Sequence, residues 1–178
     1  MKQVLSLWAL ALILLAATAC GSRKQQHLCH IYGYAPDTLM EGQQVFLVPF
    51  YNATKANVDS TVVKDGKFEF YSDTLMMAKI LTAFRLQLDV QPLLVVVEQG
   101  DVEVTIASVS SGRGTPQNDS LQAWKELTER YHSENAALRS ASDTVKADSV
   151  RMVYINRTKQ MAGNLKQGVL HDFLMSML

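Results

Sequence analysis

Two imidazoles and a thiol stand within four positions at His27-Leu28-Cys29-His30, donor types from which metal sites are built. A closed zinc site takes four ligands, and a β-strand would turn His27 and Cys29 to one face and His30 to the other. Downstream only His132 and His171 remain, and no cysteine follows Cys29, so the run reads as the polar start of a strand. Gly112-Arg113-Gly114-Thr115 precedes a helical stretch, where backbone N–H groups can hold phosphate. It lacks the Gly-Lys-Ser/Thr ending of a P-loop and the full GxGxxG spacing, so it reads as a flexible turn. Ser120 has no His/Asp arrangement to activate it and reads as a helix-start residue. Glu126 and Glu129 stand among Lys125 and Arg130, the pattern of a solvated helix face. The expectation is a chain that is not an enzyme, with no cofactor and no metal.

Cys20 is different, because the residues before it supply its chemistry. Met1-Lys2 gives a charged start, Val4 to Ala19 is apolar apart from Ser6 and the small Thr18, and Ala17-Thr18-Ala19 is small throughout. These are the parts of a secretory signal peptide. The apolar run falls short of the about 20 residues that a membrane-spanning helix needs. With Cys20 after it, the segment resembles the lipobox of bacterial lipoproteins; Ala19 and Thr18 fit its small positions, while Ala17 stands where leucine is usual. The resemblance implies cleavage before Cys20, a diacylglycerol on its thiol and acylation of the new amino terminus. Residues 1–19 are then a removed signal peptide and 20–26 a lipidated tether. Each buried CH₂ adds about 0.8 kcal/mol of membrane affinity, so several chains hold a domain firmly. Gly21 in place of an inner-membrane retention aspartate, and Arg23-Lys24 in place of an acidic export signal, point to the outer membrane, facing the periplasm.

With Cys20 acylated, Cys29 is the remaining thiol. An internal disulfide and a CxxC pair are then both excluded, and Cys29 reads as a buried strand residue. The chain is 48% hydrophobic and 19% charged, with 17 basic and 17 acidic residues, enough apolar content for one folded domain. Neutral balance and the lack of a basic stripe argue against a nucleic-acid partner.

The elements follow from pattern. His27–Tyr34 and Gln44–Phe50 read as strands, and Pro49 belongs at an edge or a bulge because it has no N–H to donate. Ser60–Lys64 and Lys67–Tyr71 flank Asp65-Gly66, a type I′ turn signal, and read as a hairpin with Phe68 and Phe70 on one face. Lys79–Leu88 is a further strand. Pro92-Leu93-Leu94-Val95-Val96-Val97-Glu98, with its unbroken branched-aliphatic run, suits a strand buried on both faces, and Val102–Ile106 alternates with period two. Residues 108–118 read as turn-forming. A helix then begins, capped by Asn118 or Asp119, with Leu121, Trp124, Leu127 and Tyr131 on its apolar face. A second helix starts at Thr144, with a candidate face of Val145, Met152, Ile155, Met161 and Leu165. Val169–Leu178 is an apolar terminal piece. The expected fold class is α+β: an antiparallel β-sandwich or open barrel over residues 27–115, then a helical extension over 116–178.

Three stretches in order resemble one known family: Asp65-Gly66-Lys67-Phe68-Glu69-Phe70, Val95-Val96-Val97-Glu98-Gln99-Gly100-Asp101-Val102-Glu103-Val104, and Gly114-Thr115-Pro116-Gln117-Asn118-Asp119. Together they are similar to the domain of unknown function 4369. The resemblance implies a β-rich module at the amino terminus of bacterial lipoproteins, commonly followed by a helical linker and a thioredoxin-like domain of the thiol-disulfide reductase or peroxiredoxin type. Redox members carry CxxC on that later domain, and this chain has none, so no catalytic residue carries over.

Asp37-Thr38, Asp59-Ser60, Asp73-Thr74, Asp119-Ser120, Asp143-Thr144 and Asp148-Ser149 are each followed by an apolar residue or threonine. They resemble the O-glycosylation acceptor motif of one phylum of Gram-negative bacteria, which makes Thr38, Ser60, Thr74, Ser120, Thr144 and Ser149 candidate acceptors. They also read as ordinary turn and cap dipeptides. The functional expectation is a lipid-anchored, periplasm-facing, non-catalytic binding or positioning module. Its partners would be the membrane, through the lipid on Cys20, and a protein, through the apolar carboxy-terminal helix. The alternative is the amino-terminal part of a thiol-disulfide oxidoreductase whose thioredoxin-like domain is missing from this chain. A carbohydrate-binding role would require exposed aromatics on one sheet face, with Tyr32, Tyr34, Tyr51 and Tyr71 as candidates.

Overall fold

The computed structural model describes residues 27–82 and 92–178. Residues 1–26, including Cys20, and the part of the expected Lys79–Leu88 strand beyond Thr82 lie outside the described residues. The strands are β1 (Cys29–Tyr34), β2 (Gln44–Pro49), β3 (Asp59–Val62), β4 (Lys67–Ser72), β5 (Met76–Thr82), β6 (Leu93–Val97), β7 (Gly100–Thr105) and β8 (Ser111–Arg113). The helices are α1 (Pro116–Ser140), α2 (Thr144–Asn164) and α3 (Val169–Ser176).

The strands form two four-stranded sheets, a front sheet ordered β4-β1-β7-β8 and a back sheet ordered β3-β2-β5-β6. Strand alternation turns Ile31, Phe68, Phe70, Val102 and Val104 of the front sheet inward. There they meet Val45, Leu47, Ala78, Ile80, Val95 and Val97 of the back sheet. The result is an open sandwich rather than a barrel. One pairing departs from the antiparallel expectation: β1 and β7 run parallel, in register from Cys29 against Gly100 to Tyr34 against Thr105. A parallel pair needs a long crossover, and here the crossover contains the whole back sheet together with β4 of the front sheet.

Asp65 and Gly66 take positive φ values of 52° and 67°, as a type I′ turn requires, and Lys64 and Lys67 exchange backbone hydrogen bonds of 2.9 and 3.0 Å. The hairpin stops at that bridge. β3 pairs with β2 in the back sheet and β4 with β1 in the front sheet, so the turn is a corner between layers. The Glu41 carboxylate fixes it, accepting from the Asp65 and Gly66 N–H groups, while Gln43 and Gly42 hold Val63 beside β2. Gly33 has no room for a side chain: a Cβ there would lie 2.0 Å from the Phe68 ring, which covers it across the β1–β4 pair.

The helices form a third layer on the outer face of the back sheet. Leu121 and Trp124 of α1, Ala162 of α2, and Leu170, Phe173 and Leu174 of α3 bury Met77 and Val96 in a second core. β6 is accordingly buried on both faces. The face of α2 matches the expected one in part: Met161 and Leu165 pack against this second core. Val145 and Met152 are exposed, and small residues, Ala147, Thr158 and Ala162, make the close approach to its neighbours. Tyr154 stacks on Tyr131 of α1 at 4.4 Å.

The start of α1 also differs. Pro116 occupies the first turn after Thr115, and Asn118 and Asp119 already lie inside the helix. The residues between Ser108 and Pro116 include a short strand, β8, rather than turns alone. The Glu98 carboxylate, at the end of β6, receives the first N–H groups of the helix from Gln117 at 2.8 Å and Asn118 at 3.3 Å. A negative charge there also suits the helix dipole.

Candidate functional site

The outward side of the front sheet carries an ordered array of rings and carboxylates, because β1, β4 and β7 alternate with period two and are in register. One row is Tyr71, His30 and Asp101; the next is Glu69, Tyr32 and Glu103; the third is Lys67, Tyr34 and Thr105. Tyr34 is 42% and Tyr71 49% exposed. His30 stacks on Tyr71 with ring centroids 4.6 Å apart and planes within 7°, and His27 lies 5.3 Å from the same tyrosine. Tyr32 stands edge-on to Tyr34.

Hydrogen bonds fix the carboxylates between the rings. Tyr71 Oη donates to Glu69 at 2.8 Å and Tyr32 Oη to Glu103 at 3.2 Å, while His30 Nδ1 lies 3.2 Å from Asp101. The Tyr71 hydroxyl titrates above the usual tyrosine range, chiefly through its bond to Glu69. Tyr32 is raised by partial burial and by Glu103. At the open end of the array, Asp73 accepts from the Leu28 N–H at 2.9 Å and pairs with His27 at 3.2 Å; the first of these leads in holding its carboxyl below the usual range. His27, Leu28, His30, Tyr71, Gln99–Asp101 border a shallow cleft of about 650 Å³ there.

His27 and His30 therefore share one side, although strand alternation predicts opposite sides. β1 begins only at Cys29, so alternation does not reach His27. Cys29 points into the sandwich, fully buried, and burial foremost pushes its thiol above the usual range, the opposite of a thiol poised for attack. Among the described residues, no three His, Cys, Asp or Glu side chains come together as a metal-ligand set. Gly112 lies in β8, and Arg113 turns to Glu126 at 2.8 Å. Of the four tyrosines, Tyr32, Tyr34 and Tyr71 share the front face. Tyr51 lies elsewhere, its hydroxyl 3.2 Å from Ser176 Oγ.

The six candidate acceptors are dispersed. Thr38, Ser60, Thr74, Thr144 and Ser149 are exposed, and Ser120 is half-buried with Oγ donating to the Pro116 carbonyl at 2.9 Å. Asp37, Asp59, Asp73, Asp119 and Asp143 each accept a backbone hydrogen bond: at a helix start for Asp37, Asp119 and Asp143, at the start of β3 for Asp59, and from the Leu28 N–H across 45 residues for Asp73. The carboxy-terminal helix buries Leu170, Phe173 and Leu174 within the chain; Met175, Met177 and Leu178 are the apolar side chains it leaves exposed.

Sequence reasoning missed a buried polar stripe on α1. Asn118 accepts from Val96 N at 2.9 Å and donates to Val96 O at 2.8 Å. Gln122 accepts from Gly112 N at 3.4 Å, and Lys125 donates to Leu94 O at 3.4 Å. Residues 118, 122 and 125 thus line one helical stripe that closes the free edges of β6 and β8, the last strands of the two sheets. The spacing was legible, but a polar stripe ordinarily signals solvent.

The sequence profile of the domain of unknown function DUF4369 matches residues 29–121, more than half of the chain. No curated protein and no solved structure matches it.

Proposed function

The chain belongs to the DUF4369 family, and on that premise we propose that it is a lipid-anchored, non-catalytic binding module facing the periplasm, with the outer face of its front sheet as the binding surface. The observation that carries this reading is the grouping of Tyr32, Tyr34, Tyr71 and His30 with Glu69, Asp101 and Glu103 on one open face. Rings and carboxylates held in register by a rigid sheet offer a preorganised surface, whose side chains lose little freedom when a partner arrives. The fully buried Cys29 supports a role without thiol chemistry. The amino-terminal anchor adds the membrane as a partner. From Cys20 the tether reaches His27 in seven residues, at most about 25 Å of extended chain, so the cleft end of the sheet stays near the bilayer.

Three measurements test this reading. Cells fed a palmitate analogue label the wild type and leave Cys20→Ala unlabelled; a labelled Cys20→Ala protein overturns the anchor. The purified protein shows no reduction of insulin disulfides, and turnover that depends on Cys29 overturns the non-catalytic reading. A photo-crosslinking residue in place of Tyr71 yields a defined adduct in intact cells, and the same residue in place of Val153 on α2 does not. Equal adducts, or none from the Tyr71 position, overturn the choice of face.

A further inference from the structure

The charges on the front face are unbalanced. Glu69, Asp73, Asp101 and Glu103 contribute four carboxylates; beside them, among the described residues, stand the imidazoles His27 and His30 and two permanent cations, Lys67 and Arg113. Arg113 is drawn off the face by Glu126 at 2.8 Å. Lys67 shows what the rings accept, since its Nζ sits 6.0 Å from the centroid of Tyr34. Tyr32 and Tyr71, one and two rows away, have a carboxylate as hydrogen-bond partner, Glu103 on the next strand and Glu69 on the same strand, and no lysine over their rings among the described residues. Tyr71 gives one ring face to His30, and Tyr32 stands edge-on to Tyr34, so the rings do not form the flat platform that stacks a sugar.

We infer that this face docks a cationic, extended polypeptide segment, whose lysine or arginine side chains lie over the Tyr32 and Tyr71 rings and between Glu69, Asp101 and Glu103. The inference rests on the reading of the front face as the binding surface. Charge complementarity selects the cation, and the ring faces add a cation–π attraction that desolvation strengthens. The repeat selects the extended form. Same-side residues of a strand recur at about 6.6 Å, so alternate side chains of a guest running along β1 meet successive rows of the array. The raised titration of Tyr71 and Tyr32 is consistent with the negative potential that the guest would answer.

The test uses the full chain in a neutral detergent and, as probe, an octapeptide alternating lysine with glycine. The probe binds, and raising salt from about 50 to about 500 mM weakens it about tenfold or more. The isosteric variant E69Q/D101N/E103Q loses about tenfold at low salt, while E129Q/E134Q/D148N, which removes as many charges from the helices, stays within about twofold. Tyr71→Leu, with charge unchanged, loses about threefold. Urea midpoints equal to the wild type establish that each variant is folded. Equal losses in the face and helix variants, or no binding by the wild type, overturn the inference. Binding of a neutral N-acetylglucosamine hexasaccharide, lost in Tyr32→Leu/Tyr71→Leu, overturns the cationic partner but leaves the face as the binding surface. Loss of the Tyr71 crosslink in cells overturns the underlying reading instead.

Discussion

Asn118 shows what one side chain does when a strand edge must be closed without another strand. Its amide offers a donor and an acceptor in the geometry of a peptide group, and both go to Val96. A further donor contact reaches Thr115 Oγ1 at 2.8 Å. Asn118→Ala leaves a buried N–H and a buried carbonyl unpaired, which costs about 2–4 kcal/mol. The expected readout is a lower urea midpoint with an unchanged slope; an unaltered midpoint would mean that water replaces the amide. Lys125, two turns on, closes the same edge with a charge. Burial first, then Arg113, lowers its pKa to about 8 from 10.5. Because the folded value lies below the unfolded one, the unfolded chain holds the extra proton between about pH 8 and 10.5, and stability rises with pH across that window. Below it both states are protonated and the burial penalty is fully felt. Lys125→Met therefore stabilises the protein by about 1–3 kcal/mol at pH 7, and the gain shrinks toward pH 10.5. The buried Cys29 also titrates in alkaline solution, but it does so in both proteins and cancels from the difference. A difference in urea midpoints that stays constant over pH 7–10 contradicts this account.

At the scale of the element, α1 belongs to the sandwich as much as any strand does. It meets Val96 and Leu94 of β6 and Gly112 of β8, and buries Leu121 and Trp124 against the outer face of the back sheet. A chain ending at residue 115 loses all of these partners at once. It is expected to associate through the uncovered β6 edge and to elute in size exclusion as large species rather than as a monomer. A soluble, cooperatively unfolding monomer of that length would refute the dependence. The strands themselves were legible where alternation and turn chemistry agree, as in β7 and in the Asp65-Gly66 turn. Pro49 was legible too: it ends β2 past the last residue paired with β3, where its missing N–H is not called upon. Assignment of strands to sheets was not legible, because a turn records local geometry while β3 and β4 diverge under hydrogen bonds from residues 41–43. The packed face of α2 was missed in part for a related reason. Hydropathy selected Met161 and Leu165, which pack, but also Val145 and Met152, which are exposed, and it passed over Ala147 and Ala162, where close approach needs a small residue. Of the front face, Tyr32, Tyr34 and Tyr71 could be named from sequence, but Glu69 comes beside Tyr32 through the β1–β4 pair, and Asp101 and Glu103 come into register only through the parallel β1–β7 pair.

At the scale of the whole molecule, the three layers separate two tasks. The helical layer and the inner core hold the sandwich closed, and the front sheet is left with one side free. That free side begins at His27, so the chain enters its fold at the cleft end of the array. The parallel pair also sets an order in time. β1 leaves the ribosome first, yet it lies in the middle of the front sheet, and His30 meets Asp101 across 71 residues of chain. At about 5–20 residues per second, roughly 4–14 s separate the synthesis of β1 from that of β7. Closing so long a loop is entropically unfavourable until both neighbours exist, so β1 is among the last strands to be locked in place. On the proposed reading, in which the chain is cut and lipidated just ahead of that strand, the delay is an interval in which the modifying enzymes meet an unfolded stretch.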